Sequence, residues 1–109
     1  MQLLTAKGYE GGLTIGQRKA FVFYANGPTS YANPAGDVVS APSGLYLDAV
    51  NDTMSVSKLY FVEFYPSSVG STRATWTAKY FVAATALEVA NGVNLSAEQF
   101  QFLAFGGDF

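Results

Sequence analysis

Residues 72–82 read Thr-Arg-Ala-Thr-Trp-Thr-Ala-Lys-Tyr-Phe-Val, and they give the clearest indication of fold class in the sequence. Apolar and mostly polar side chains alternate along it, and a period of two places alternate residues on opposite faces of a β-strand. The stretch therefore predicts a half-buried antiparallel strand with Trp76 inside. Its inner set is Ala74, Trp76, Ala78, Tyr80 and Val82, and its outer set is Arg73, Thr75, Thr77, Lys79 and Phe81.

Further strands are predicted on both sides of this one. Residues 58–65 and 18–25 are apolar at nearly every position, so we expect both faces of each to be covered, one by the core and one by a neighbour. Turn residues recur at intervals that suit a sandwich or a small barrel. We predict a single all-β domain over residues 1–109, an antiparallel β-sandwich, with shorter strands at residues 3–6, 38–39, 45–50 and 99–105.

Three irregular segments carry specific expectations. Residues 26–37 are predicted to be the longest irregular stretch, ordered because Tyr31 tethers it. At residues 96–99, Ser-Ala-Glu-Gln fits the start of a helix, but the alternation that follows favours a brief turn and then a strand. The glycines around residues 13–15 predict turns and a bulge, since no helix start that could cradle a phosphate follows them.

The composition indicates a protein partner. The chain is 50% hydrophobic and only 13% charged, against roughly 25% charged residues in a typical domain. With so few charged residues, part of the folded surface must be apolar or weakly polar. Large exposed apolar patches usually mark interfaces. We therefore expect the protein to sit against a copy of itself or against a larger assembly.

The same composition argues against most catalysis. Histidine and cysteine are absent, which removes the commonest general base, the commonest metal ligand and the thiol nucleophile. A pairing of Ser55 or Ser57 with Lys58 remains formally open, while Asp48 and Asp52 are interpreted as solvated charges. We expect no enzyme activity, no bound metal and no cofactor.

Charge and hydropathy also narrow the classes of partner that the protein could bind. The six Lys and Arg residues are scattered and the net charge is −2, a poor match to nucleic acid or to an anionic membrane. No segment reaches the ~20 apolar residues of a membrane span. The first residues lack the basic and apolar regions of a signal peptide, so we expect synthesis in a cytoplasm.

Candidate interface residues come from two sources. Aromatic residues on the second face of two-faced strands, namely Tyr24, Tyr60 and Tyr65, are predicted to meet a protein partner. The terminal segments 1–9 and 105–109 are candidate contact arms; the alternative is that Leu3 and Leu4 form an edge strand and Phe105 ends the core. These arms carry Leu3, Leu4, Tyr9, Phe105 and Phe109.

Several short motifs resemble one family. They are Leu-Thr-Ile-Gly at residues 13–16, Gly-Pro-Thr-Ser-Tyr at 27–31 with Gly36 after it, and Leu-Glu-Val-Ala-Asn-Gly-Val-Asn-Leu-Ser at 87–96. The final strand ends Leu-Ala-Phe-Gly-Gly at 103–107. Together they resemble the small cement or decoration proteins of tailed bacteriophage capsids. The likeness spans about residues 13–107, and the aromatic segment 59–65 departs from it.

The resemblance implies a compact β-sandwich of jelly-roll type without catalytic residues or cofactor. It implies a homodimer or homotrimer fixed to the outer surface of a shell of major capsid protein, where it bridges neighbouring capsomers. Many modest contacts repeated by symmetry would then sum to a large stabilisation. Two alternatives stay open, a carbohydrate- or receptor-binding sandwich of a head or tail fibre and a ring-forming tail or neck subunit.

Overall fold

The computed structural model describes residues 4–5, 13–15, 18–42, 44–66 and 75–108, with the backbone alone at residues 4, 5, 13–15, 18 and 108. These residues contain no helix and form two antiparallel sheets packed as a β-sandwich, which confirms the predicted fold class. The described strands are β1 (Leu4–Thr5), β2 (Leu13–Ile15), β3 (Arg18–Asn26), β4 (Asp37–Ser40), β5 (Leu45–Val50), β6 (Thr53–Met54), β7 (Tyr60–Pro66), β8 (Thr75–Val82) and β9 (Gln99–Asp108).

The chain alternates between the two sheets. The first sheet has the order β1-β3-β9-β5, with β2 also paired to β3, and the second has the order β4-β8-β7-β6. Because β3 pairs with β9 and β4 with β8, the antiparallel pairs are nested. Connections cross between the sheets at residues 27–36, 41–44, 51–52 and 83–98.

The sheets meet at a core of aromatic and aliphatic side chains. Trp76, Ala78 and Tyr80 of β8 are buried, as the period-two alternation predicts. Rings contact each other across the layer, with centroids 4.8 Å apart for Phe64 and Phe102 and 5.3 Å apart for Tyr80 and Phe100. The buried cluster contains Phe21, Phe23, Ala25, Tyr31, Val39, Leu47, Val62, Phe64, Trp76, Ala78, Tyr80, Val89, Leu95, Phe100, Phe102 and Ala104.

Strand boundaries depart from the sequence prediction where local backbone geometry intervenes. Strand β7 begins at Tyr60 rather than at residue 58, because Lys58 lies in the left-handed region with φ 64° and closes a turn onto Ser55. Strand β9 continues past residue 105 to Asp108. There Gly106 lets β5 approach closely, since a Cβ at that position would lie 1.8 Å from the Tyr46 carbonyl oxygen.

Two short strands were not predicted, and one loop length was predicted wrongly. Residues 13–15 form strand β2, which pairs antiparallel with β3. The glycines around it, for which turns and a bulge were predicted, lie outside the described residues. Strand β6 pairs with β7 and was not predicted. Residues 83–98 form a longer irregular stretch than residues 27–36. The predicted turn at residues 96–97, followed by a strand, is confirmed.

Tyr31 tethers the first long loop to the second, as predicted. Its side chain is only 1% exposed, and its ring packs edge-on against Tyr80 at 5.4 Å. Its hydroxyl donates a hydrogen bond to Glu88 Oε2 at 2.9 Å. Backbone bonds join the same loops, because Tyr31 N donates to the Val93 carbonyl and Gly92 N donates to the Tyr31 carbonyl. The two loops therefore close one end of the sandwich together.

We predict that Tyr31→Phe lowers the free energy of unfolding by about 1–3 kcal/mol, because the variant removes a hydrogen bond to a carboxylate while keeping the ring. Urea denaturation measures the loss. Tyr24→Phe is the matched control, since no described residue bonds to the Tyr24 hydroxyl; its effect should stay within about 0.5 kcal/mol. Equal effects of the two variants would contradict the tether.

Candidate interaction surface

On one outer face of the sandwich, the outward positions at residues 20–24 of β3 and 101–105 of β9 carry no charge. In β3 the inward residues are Phe21, Phe23 and Ala25, so Ala20, Val22 and Tyr24 point outward. In β9 the inward set is Phe100, Phe102 and Ala104. We name the outward residues in the middle of β3 and β9 the uncharged face; they are Ala20, Val22, Tyr24, Gln101, Leu103 and Phe105.

The strand register makes these residues one continuous band. Phe105 lies between Ala20 on β3 and Ala49 on β5, and Leu103 lies opposite Val22. Gln101 lies opposite Tyr24. Leu103 is 36% exposed, whereas Val22, Tyr24 and Phe105 are half-buried. The band therefore offers apolar surface with amide and phenol groups at one end.

The outer face of the second sheet mixes charged and apolar groups. The outward residues of β8 include Thr75, Thr77 and Lys79, and Lys79 lies opposite Glu63 on β7. Phe61 and Phe81 stack on each other with centroids 5.0 Å apart and planes 12° apart, so each ring covers one face of the other. Val38 and Met54 on the edge strands of this sheet are exposed. The two outer faces thus differ in charge, because the second carries an opposed Glu–Lys pair and the uncharged face carries none.

The eight predicted interface residues do not form one patch. Leu4 lies in β1 opposite Tyr24, whereas Phe105 lies opposite Ala20, four residues along β3 from Tyr24, so the first sheet pairs Leu4 with Tyr24 and places Phe105 apart from them. Both Leu4 and Phe105 are strand residues rather than parts of separate arms. Leu3, Tyr9 and Phe109 lie outside the described residues.

Tyr60 and Tyr65 lie elsewhere. Tyr60 faces inward at the start of β7 and packs against the core. Tyr65 points outward from the second sheet and is 42% exposed; its hydroxyl donates to the Glu63 carboxylate. The Lys79 ammonium lies 5.8 Å from the centre of the Tyr65 ring. That hydrogen bond and partial burial raise the pKa of Tyr65.

The uncharged face contains four residues that were not named as interface candidates, namely Ala20, Val22, Gln101 and Leu103. The signal for Leu103 was present in the sequence. Residues 99–105 alternate, but the set that faces away from the core reads Gln, Gln, Leu, Phe and contains no charge. An alternating strand with an uncharged outer set predicts an outer face that is not fully solvated.

The serine and carboxylate groups considered for chemistry have structural partners. Ser57 Oγ donates to Glu98 Oε2 at 2.6 Å and lies 3.0 Å from Ser55 Oγ. Ser55 Oγ also accepts a bond from Tyr60 N. In the described part of the chain, the Lys58 amine bonds to neither serine. These bonds fasten the turn between β6 and β7 to the start of β9.

In the acidic segment at residues 48–52, the Asp52 side chain satisfies a backbone N–H at the edge of β7. Asp52 Oδ1 accepts a hydrogen bond from Phe64 N at 3.0 Å, on the side of β7 that β6 leaves open. Within the described ranges, no group of three acidic side chains is placed to hold a metal ion. Those ranges also contain no helix that could cross a bilayer.

A buried cluster of titratable groups joins the two tyrosines of the core. Tyr80 OH donates to Asp37 Oδ2 at 3.4 Å, and Tyr80 N donates to the Tyr31 hydroxyl at 3.4 Å. Burial raises the pKa of Tyr31 and of Tyr80 far above the ordinary value, and the neighbouring Glu88 and Asp37 carboxylates raise them further. Both phenols are therefore held neutral.

Comparison with known proteins gives no relative. No protein-family model, no curated protein and no solved structure matches this chain.

The tyrosine cluster predicts the alkaline limit of stability. Below the ordinary tyrosine pKa near 10, folded and unfolded chains both keep these protons, so stability is unaffected. Above it, the unfolded chain loses protons that the folded chain keeps, so the free energy of unfolding falls as pH rises. Absorbance at 295 nm and circular dichroism measure both events.

Of the seven tyrosines, two should ionise only in the transition that unfolds the chain. In Tyr31→Phe only one tyrosine should ionise in that transition. Ionisation of every tyrosine near pH 10 with an intact fold would contradict the buried cluster.

Proposed function

We propose that this protein is a structural protein of a tailed-bacteriophage virion, a cement or decoration protein that binds the outer surface of the capsid shell. The uncharged face is the observation that carries the proposal, because its outward residues are apolar or neutral, whereas the opposite sheet carries the opposed Glu63 and Lys79 beside exposed Val38 and Met54. An outer face without charge suits contact with a protein surface. A decoration protein needs one such face, since it lies between a shell and the solvent.

The uncharged face is small, which favours a function that many copies of the protein perform together. Five residues at ~3.4 Å each, across two strands ~4.8 Å wide, give about 160 Å² of flat area. A standard stable interface buries about 800 Å² on each partner. A single copy would thus bind weakly, and repetition over a symmetric lattice would supply the total stabilisation.

Two further features support the proposal. The nested pairs of β3 with β9 and β4 with β8 are compatible with the jelly-roll type that the resemblance implies. The low charge content suits a protein whose surface is partly covered by copies of itself and by neighbouring capsomers. The proposed partners are therefore major capsid protein and a homodimer or homotrimer of this chain, made in the host cytoplasm and located on the virion.

The alternatives predict different particles. A tail or neck subunit would be present in a handful of copies, and a fibre tip would bind a glycan through coplanar exposed aromatic rings. Phe61 and Phe81 stack on each other instead of lying side by side. Copy number in purified particles and glycan binding separate the three roles.

The test mixes purified protein with capsid shells that lack it. Bound protein should sediment with the shells in large copy number and raise the temperature at which they open. Leu103→Lys should bind at least ten-fold more weakly, because it places a charge in the middle of a desolvated contact.

Thr75→Lys is the matched control, because it adds the same charge to the outer face of the second sheet. It should bind as the unchanged protein does. No binding to shells, or binding without a gain in heat resistance, would overturn the cement role. Equal loss in both lysine variants would overturn the assignment of the uncharged face.

A further inference from the structure

A groove of about 450 Å³ opens at the end of the second sheet where β7 begins and β8 ends. Its volume lies within the ~300–1,000 Å³ range of small-molecule sites. It is distinct from the uncharged face, which belongs to the other sheet. We name it the leucine groove, and its lining residues are Lys58, Leu59, Tyr60, Val82, Ala83 and Ala84.

Two strongly exposed leucines flank the groove. Leu59 is 60% exposed and Leu87 is 68% exposed. Ala83 N donates to the Leu59 carbonyl and Val82 N donates to the Leu87 carbonyl, both at 2.9 Å. The two leucines are therefore fixed by backbone bonds on either side of residues 82–83, rather than carried on loose loops.

Each of these leucines follows a residue with unfavourable backbone geometry. Lys58 has φ 64° and Ala86 has φ 58°, and they are the non-glycine residues with positive φ in the described chain. Glycine is the default at such positions because a Cβ is disfavoured there. Strained residues of this kind concentrate at functional sites. The two turns therefore position Leu59 and Leu87 at a cost in backbone strain that glycine at positions 58 and 86 would avoid.

Lys58 is the charged residue among those that line the groove. Glu98 and Glu88 do not line it, and their carboxylates accept hydrogen bonds from Ser57 Oγ and Tyr31 OH. Lys58 lines the groove, is exposed, and forms no ion pair with the described residues. A cation at the rim of an apolar groove favours an occupant that carries a negative charge.

We propose that the leucine groove binds a protein segment that presents a leucine-sized apolar side chain next to a carboxylate. The apolar side chain would lie between Leu59 and Ala83, and the carboxylate would meet the Lys58 ammonium. Glycine at position 58 would relieve the backbone strain but would remove the positive charge. The need for this charge accounts for a lysine in a left-handed turn. The proposal does not rest on the virion role, so either can fail without the other.

The experiment titrates the full chain, labelled with ¹⁵N, with acetyl-Leu-Glu-amide up to about 20 mM, a range that detects millimolar dissociation constants. Amide shifts should saturate at Leu59, Ala83, Ala84 and Leu87. Acetyl-Leu-Lys-amide should bind about two- to five-fold more weakly, the effect of one exposed ion pair. This difference should shrink in 1 M salt.

Two glycine variants separate charge from backbone. Lys58→Gly and Ala86→Gly both relieve the backbone strain of a residue in the left-handed region, so both should raise the melting temperature. Only Lys58→Gly should weaken the binding of acetyl-Leu-Glu-amide, by the same two- to five-fold. Leu59→Ser should abolish saturable binding. The proposal is overturned if no shift saturates, if the shifts fall on the uncharged face instead, or if both peptides bind equally well to the unchanged chain.

Discussion

The sandwich depends on aromatic rings that reach from one sheet to the other. Phe64 and Tyr80 of the second sheet contact Phe102 and Phe100 of the first. Trp76 adds a polar link, because its Nε1 donates to the Leu47 carbonyl at 3.3 Å. These contacts commit alternate residues of β7, β8 and β9 to the interior. The residues between them therefore lie on the outer faces, which are the surfaces that a partner can contact.

The two outer faces follow from the same alternation but differ in chemistry. On the second sheet the outward residues include the Glu63–Lys79 pair, which water solvates readily. On the first sheet the central outward residues include Val22, Leu103 and Phe105, which water solvates poorly. A sandwich with one such face leaves apolar surface for a partner, as the low charge content led us to expect.

Much of the fold could be predicted, because long strands carry a periodic signal. Strand β8 was predicted with Trp76 inside, and β3, β5 and β9 were placed within a few residues. Strands β2 and β6 are three and two residues long, too short for a period of two to appear. Their existence depends on pairing with β3 and β7, which no local pattern encodes.

The interface residues were harder to predict, because they depend on which face each residue occupies. Tyr60 and Tyr65 were grouped from one strand, yet they are an odd number of residues apart and lie on opposite faces. The leucine groove was not predicted at all. It depends on the register between β7 and β8 and on left-handed turns at Lys58 and Ala86, residue types that do not indicate positive φ.

The proposed function requires that a partner covers the uncharged face. Hydroxyl-radical footprinting of the chain bound to capsid shells, compared with the chain alone, measures whether it does. Oxidation of Leu103 and Tyr24 should fall several-fold in the bound state, whereas Met54, exposed on the second sheet, should be oxidised as before. Unchanged oxidation of Leu103 together with protection of Met54 would contradict the account.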